Sequence, residues 1–152
     1  PVEDQERAFR LQMAIAREAD VPVVIHVRDA WTRMLRMLEE GRAERVVLHC
    51  FSGDAKLAQT AAEHGWFCSF SGTVTFKNSQ GVRDGLALLP AELVLVETDA
   101  PFLTPTPYRG RPNGSYLIPI TTRFMADVKG MPLAALCEHV SSNTNRVFGD
   151  FR

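Results

Sequence analysis

LVLVETDAPFLTP, residues 93–105, runs apolar for four residues, sets Glu97 and Asp99 two positions apart and breaks at Pro101. Leu93 to Thr98 reads as a strand, and a continuous Leu/Val run rather than an alternating one is the pattern of a strand covered on both faces, as in a parallel sheet flanked by helices. A carboxylate carried into the end of such a strand is costly unless it is paired or bound to a cation. The segment predicts an α/β sheet and a charged strand end that needs a partner.

Upstream the same unit recurs. EDQERAFRLQMAIAREAD opens with Glu3 and Asp4, carries adjoining apolar rows (Ala8, Leu11, Ile15 and Phe9, Met13, Ala16) and stops at Pro22, so it predicts a helix. VPVVIH predicts a strand, AWTRMLRMLEEG a helix capped by Asp29 and ended by Gly41, and RVVLHC a second strand. A helix between Asp54 and Gly65, a strand at WFCSFSG and a helix at SQGVRDGLALLP follow. After the loop TPTPYRGRPNGSY come two more helices, the second with Pro132 in its first turn. No linker or low-complexity segment interrupts the 152 residues, which predict a single domain over 1–152.

With 17 basic and 18 acidic residues, the net charge of −1 excludes a polyanion or membrane surface bound through bulk charge, so such contact would have to be local. No apolar run approaches the roughly 18 residues of a bilayer span and the N-terminus is too polar for a signal peptide, so a cytoplasmic protein without membrane contact is expected. Cys50, Cys68 and Cys137 are odd in number and lie in apolar patterns, which predicts reduced core thiols.

In a parallel sheet, function collects at strand C-termini. Three of the four strands end in a metal-type ligand: His26 in VVIHVRDA, His49 in VVLHCFSG and Asp99 in VLVETDAP. Side-chain alternation puts Val24 with His26, Val47 with His49, and Leu95 with Glu97 and Asp99, each set on one face. One such histidine reads as hydrogen-bonded filler, but three residues at equivalent ends read as ligands of one divalent cation. Glu97, one step deeper, reads as the group that orients a ligand or a water. Arg28 suits either an anion contact or an ion pair with Asp29. The YRGRPNG loop offers Tyr108, Arg109, Arg111 and Asn113 for gripping a phosphate, the alternative being a flexible basic loop.

PVVIHVRDA, LHCFSG, FSGTVTFKNS, VETDAPFLTPTPYRGRPN and SSNTNRVFG resemble, in order and spacing, signature segments of the TatD-type metal-dependent deoxyribonucleases, amidohydrolase-like hydrolases with a (β/α)8 TIM barrel. The resemblance covers essentially the whole chain but only the second half of that barrel. It implies a half barrel of strands five to eight, with His26 on five, His49 on six and Asp99 on eight. The HxH pair of the family's first strand and the metal-bridging Glu of its fourth have no counterpart here, and Gly114-Ser115 stands where the family often has Glu-Pro.

The resemblance implies a two-metal (Mg, Mn or Zn) phosphodiesterase that removes nucleotides from DNA ends. In this chain His26, His49 and Asp99 make a three-ligand open site for one cation, Asp99 doubles as the catalytic proton acceptor, and Arg28, Tyr108, Arg109, Arg111 and Asn113 contact substrate. Full activity from this chain unaided is not expected. An amidohydrolase-like enzyme acting on a cyclic amide or lactone, and a non-catalytic half-barrel fragment, are the alternatives. The unpaired edge strands predict either a homodimer or capture of a separate N-terminal half barrel.

Overall fold

The structure, a computed structural model, describes residues 1–149; residues 150–152, the end of the expected domain, lie outside the described residues. Four short strands, β1 (Val23–His26), β2 (Val46–His49), β3 (Phe67–Phe70) and β4 (Val94–Val96), pair in parallel in the order β1-β2-β3-β4. The helices are α1 (Val2–Glu18), α2 (Trp31–Gly41), α3 (Ala55–His64), α4 (Gln80–Leu88), α5 (Ile118–Lys129) and α6 (Leu133–Phe148). The α/β alternation expected from the sequence is present throughout.

Alternation along the strands explains why the apolar runs are continuous. Val46, Leu48, Cys68, Phe70 and Val94 face the main core, where Leu38, Phe51, Trp66, Leu86, Met125 and Leu136 are all but fully buried. Val47, Phe67 and Leu95 point to the opposite face and form a second, smaller core with Val147 from the end of α6. That end is held by the Arg45 guanidinium, which donates to the Val147 carbonyl at 2.7 Å, and by Arg146, whose guanidinium lies 4.9 Å from the Phe67 ring centroid. Asn143, buried in α6, donates to the Ala91 and Val94 carbonyls at 2.8 Å each and fixes the helix to the start of β4. So the second face is closed at the beginnings of β2 to β4 and open at their C-terminal ends.

β1 is one of the two edge strands, and among the described residues no further strand pairs with it. Val24, on its second face, is 53% exposed, and of the two apolar rows of α1 only Met13 and Ala16 are buried while Ala8, Leu11 and Ile15 face solvent.

Several local expectations need correction. β4 is Val94–Val96 rather than Leu93–Thr98, since a 3-10 turn takes Ala91–Leu93 and Asp99, at φ 59°, turns the chain away. One ladder bond survives past the strand, from the Glu97 N–H to the Phe70 carbonyl at 3.0 Å. The N-cap of α2 is Ala30, not Asp29, which sits at φ 56°. Gly41 is the last residue of α2 and Arg42 takes the left-handed cap position at φ 49°. Gly41 instead packs against α1, where a Cβ would approach Met13 Cε to 3.1 Å. Asp54 and Gly65 do cap α3, through the Leu57 N–H at 3.0 Å and a left-handed φ of 68°. Pro132 immediately precedes α6. Cys68 is a core thiol, but Cys50 is half-buried and Cys137 exposed. No described helix is long and apolar enough to cross a membrane.

Candidate metal centre

β2 ends at His49, and a left-handed Cys50 at φ 46° then lets the Phe51 N–H rejoin the ladder on the Ser69 carbonyl at 2.8 Å. The bulge leaves His49 at the open C-terminal end of the sheet, level with Glu97 and Asp99 beyond β4. His49 Nδ1 is 2.9 Å from Glu97 Oε2, and His49 Nε2 is 3.5 Å from Asp99 Oδ1. Among the described residues, His49, Glu97 and Asp99 form the cluster of metal-type donors, with one donor atom of each within 4.8 Å of the others.

The two distances have different chemical meanings. At 2.9 Å, Nδ1–H donates to the Glu97 carboxylate, and this fixes the tautomer that leaves a lone pair on Nε2. At 3.5 Å, Nε2 and Oδ1 are too far apart for a good hydrogen bond. Two donors of a tetrahedral cation at about 2.1 Å each stand about 3.4 Å apart, so this pair has the spacing of co-ligands. Glu97 Oε1 is buried and has no hydrogen-bond partner, so the site holds carboxylate charge that the protein alone does not compensate. Donor chemistry and spacing fit a divalent cation at His49 and Asp99.

Cys50 lies beside this charge. Burial pushes its thiol up, and the Glu97 and Asp99 carboxylates push in the same direction against the hydrogen bond to Ser71. The Cys50 Sγ to Ser71 Oγ contact is 3.3 Å, and Ser71 Oγ reaches Thr73 Oγ1 at 3.0 Å.

His26, expected to share the cation, stays outside the cluster. It is exposed, and although it pairs with His49 in register, the two ring centroids are 5.9 Å apart and tilted by 48°. Its strand is an edge of the sheet, separated from β4 by β2 and β3.

The loop after Asp99 is more ordered than its composition suggests. Asn113 was expected to contact substrate, but it is 8% exposed and its amide donates to the Thr98 and Phe102 carbonyls at 2.8 and 2.7 Å. Arg109 lies 3.7 Å from the Phe76 ring centroid and donates to the Thr104 carbonyl, so it anchors the loop instead of standing free. Arg111 and Tyr108 remain exposed, with the guanidinium 5.9 Å from the ring centroid. Arg28 is exposed too, and no ion pair joins it to Asp29 among the described residues.

Gly72 explains how the loop reaches the sheet, because a Cβ there would lie 2.1 Å from the Leu103 carbonyl oxygen and 2.8 Å from Pro105 N. Thr106 closes the contact, its N–H donating to Thr75 Oγ1 at 2.9 Å. Ser71 and Gly72 thus build the site although no expectation from the sequence named them; the signal that could have found Gly72 is a glycine at a strand end, where another backbone can come close.

A family profile described as "TatD related DNase" matches residues 1–149. "Uncharacterized metal-dependent hydrolase TatD" of Mycobacterium tuberculosis is 40% identical over 95% of this chain and 55% of its own length. "Uncharacterized metal-dependent hydrolase YabD" of Bacillus subtilis is 35% identical over 97% of this chain and 59% of its own. The crystal structure of the TatD homolog YjjV from Escherichia coli superposes with a TM-score of 0.86 at 26% identity, over 92% of this chain and 54% of that one. A TatD family hydrolase from Entamoeba histolytica shares the fold, with a TM-score of 0.84 at 20% identity, over 97% of this chain and 58% of that one. The chain thus spans about half the length of the relatives it matches. With a profile match over residues 1–149 and relatives of this identity, the chain belongs to the TatD-related DNase family.

Proposed function

We propose that this chain is the cation-holding and phosphate-gripping part of a TatD-type hydrolase that cleaves phosphodiester bonds at DNA ends. The observation that carries the reading is the pair of distances at His49, 2.9 Å to Glu97 and 3.5 Å to Asp99. His49 Nε2 and Asp99 would hold the cation, with Glu97 keeping the imidazole in the required tautomer. The mixed imidazole and carboxylate set suits Zn or Mn better than Mg, which prefers oxygen donors.

A bound divalent cation supplies an acidified water and neutralises charge on the phosphoryl oxygens. The Asp99 carboxylate, 36% exposed at the rim, accepts the proton that the attacking water gives up. Arg28 and Arg111, both exposed, bind and orient the phosphate by charge-assisted hydrogen bonds. Arg109 and Asn113 act one step removed, by holding the loop on which Arg111 stands.

The four strands are read as half of a closed barrel. The exposed Val24 on β1 and the Ala8, Leu11, Ile15 row of α1 form its seam, where a second copy or an N-terminal half barrel would pair. Nucleotide release from single-stranded DNA, assayed with manganese and with chelator, tests the reading. Chelator-sensitive release is expected, weak from this chain alone. Manganese binding with no release under any condition, together with hydrolysis of a cyclic amide or lactone, would replace it by the amidohydrolase reading.

A further inference from the structure

Phe102 is 69% exposed although it is an aromatic residue in the hydrogen-bonded loop that follows Asp99. Its exposure is not slackness. The Phe102 N–H donates to the Asp99 carbonyl at 3.0 Å, and its own carbonyl accepts from the buried Asn113 amide at 2.7 Å. The same Asn113 receives further support from its N–H, which donates to the Pro101 carbonyl at 3.0 Å. Phe102 is thus fixed on both main-chain groups, and one of those bonds goes to the residue read as the cation ligand.

The chain leaves this position through Leu103 at φ 56°, a left-handed conformation that a branched side chain seldom adopts. That turn sends Leu103 to Pro105 inward over Gly72 and leaves the Phe102 ring in water. A phenylalanine normally gains by burial, and here rigid, strained backbone holds it out. Such a ring loses little freedom when a flat partner covers it, which makes it a preorganised stacking surface. Because the 99–102 turn is hydrogen-bonded, the Cα atoms of Asp99 and Phe102 are within about 7 Å of each other, which places Phe102 beside the candidate cation ligand in the loop.

We propose that Phe102 is a specificity-determining residue, the stacking platform for the base of the nucleotide whose phosphate lies at His49 and Asp99. The proposal rests on the phosphodiesterase reading above. A single aromatic face accepts any base and discriminates little by sequence. It also requires an unpaired base, since in a duplex that face is occupied by neighbouring bases. On that reading the ring takes an unpaired base, with Arg111 and Arg28, both exposed, supplying charge to the backbone.

Fluorescence anisotropy with this chain tests the point through binding rather than turnover, both in chelator and with manganese, on strands whose phosphorothioate linkages resist cleavage. The probes are a single-stranded oligonucleotide, a strand of equal length and charge with abasic residues at its end, and the duplex. Phe102→Ala is expected to weaken binding of the single strand roughly 5- to 150-fold, the range for losing one stacked base. Phe102→Tyr should restore binding, and the abasic strand should bind weakly to every variant alike. Because the ring is exposed, circular dichroism of the variants should match the parent.

Equal binding of base-bearing and abasic strands by the parent chain would overturn the stacking role and leave the phosphodiesterase reading standing. Equal weakening of both strands by Phe102→Ala would do the same, by assigning the ring a structural part. Binding of no strand under either condition would overturn both readings.

Discussion

Glu97→Gln separates a group that orients a metal ligand from one that merely fills the strand end. In the native site Glu97 Oε2 accepts from His49 Nδ1 at 2.9 Å, with the carboxylate 18% exposed. A hydrogen bond to a charged partner contributes about 1.5–3 kcal/mol and a neutral one about 0.5–1.5, so glutamine forfeits about 1–1.5 kcal/mol of support for the ligating tautomer. The lost negative charge adds to this. A cation on Nε2 would sit about 7 Å from the carboxylate, where even a water-like dielectric gives about 1 kcal/mol for a divalent ion. Together these predict metal affinity about 10- to 100-fold weaker, as for other changes that act through a ligand. Calorimetric titration of zinc or manganese into parent and variant measures it. In chelator the variant should differ little from the parent in stability, because the weaker bond to His49 and the removal of a buried unpaired charge act in opposite directions. Unchanged metal affinity with a lowered melting temperature in chelator would refute the reasoning and make Glu97 a structural residue.

Three further outcomes follow from the packing. Asn143→Ala should cost about 2–3 kcal/mol in urea unfolding, since two bonds of 2.8 Å to the Ala91 and Val94 carbonyls are lost in a buried position. Gly72→Ala should destabilise the fold by about 1–3 kcal/mol and weaken metal binding together, because its Cβ would collide with the Leu103 carbonyl at 2.1 Å and displace the loop carrying Asp99. Lys129 donates to the Leu86 and Leu89 carbonyls, and burial lowers its pKa. The folded value then lies below the unfolded one, so the unfolded chain binds more protons and the parent should gain stability relative to Lys129→Met as pH rises toward the unfolded value near 10.4. A difference independent of pH in melting curves would reject it.

The fold was legible where residues obey local rules. Continuous Val/Leu runs marked β2 and β4, Asp54 and Gly65 bracketed α3, and the strand-end position of His49 and Asp99 drew attention to the open end of the sheet. Tertiary geometry decided the rest. Whether His26 joins the cluster depends on what lies beyond β1, and a period of two can place its side chain on a face without saying how far it reaches across. Asn113 and Arg109 have the chemistry of substrate contacts, but long-range partners, the Thr98 carbonyl and the Phe76 ring, decide their use. Gly41 looked like a helix stop and is a packing contact with Met13, which no local pattern can show.

The central claim is that His49 Nε2 and Asp99 hold a divalent cation. Anomalous diffraction at the zinc edge from crystals of this chain grown with zinc measures it most directly. The account predicts a peak at about 2.0–2.2 Å from both His49 Nε2 and an Asp99 carboxylate oxygen, with Glu97 still on Nδ1. A peak bound elsewhere with His49 bonded directly to Asp99, or no peak at zinc concentrations that saturate calorimetric binding, would contradict it.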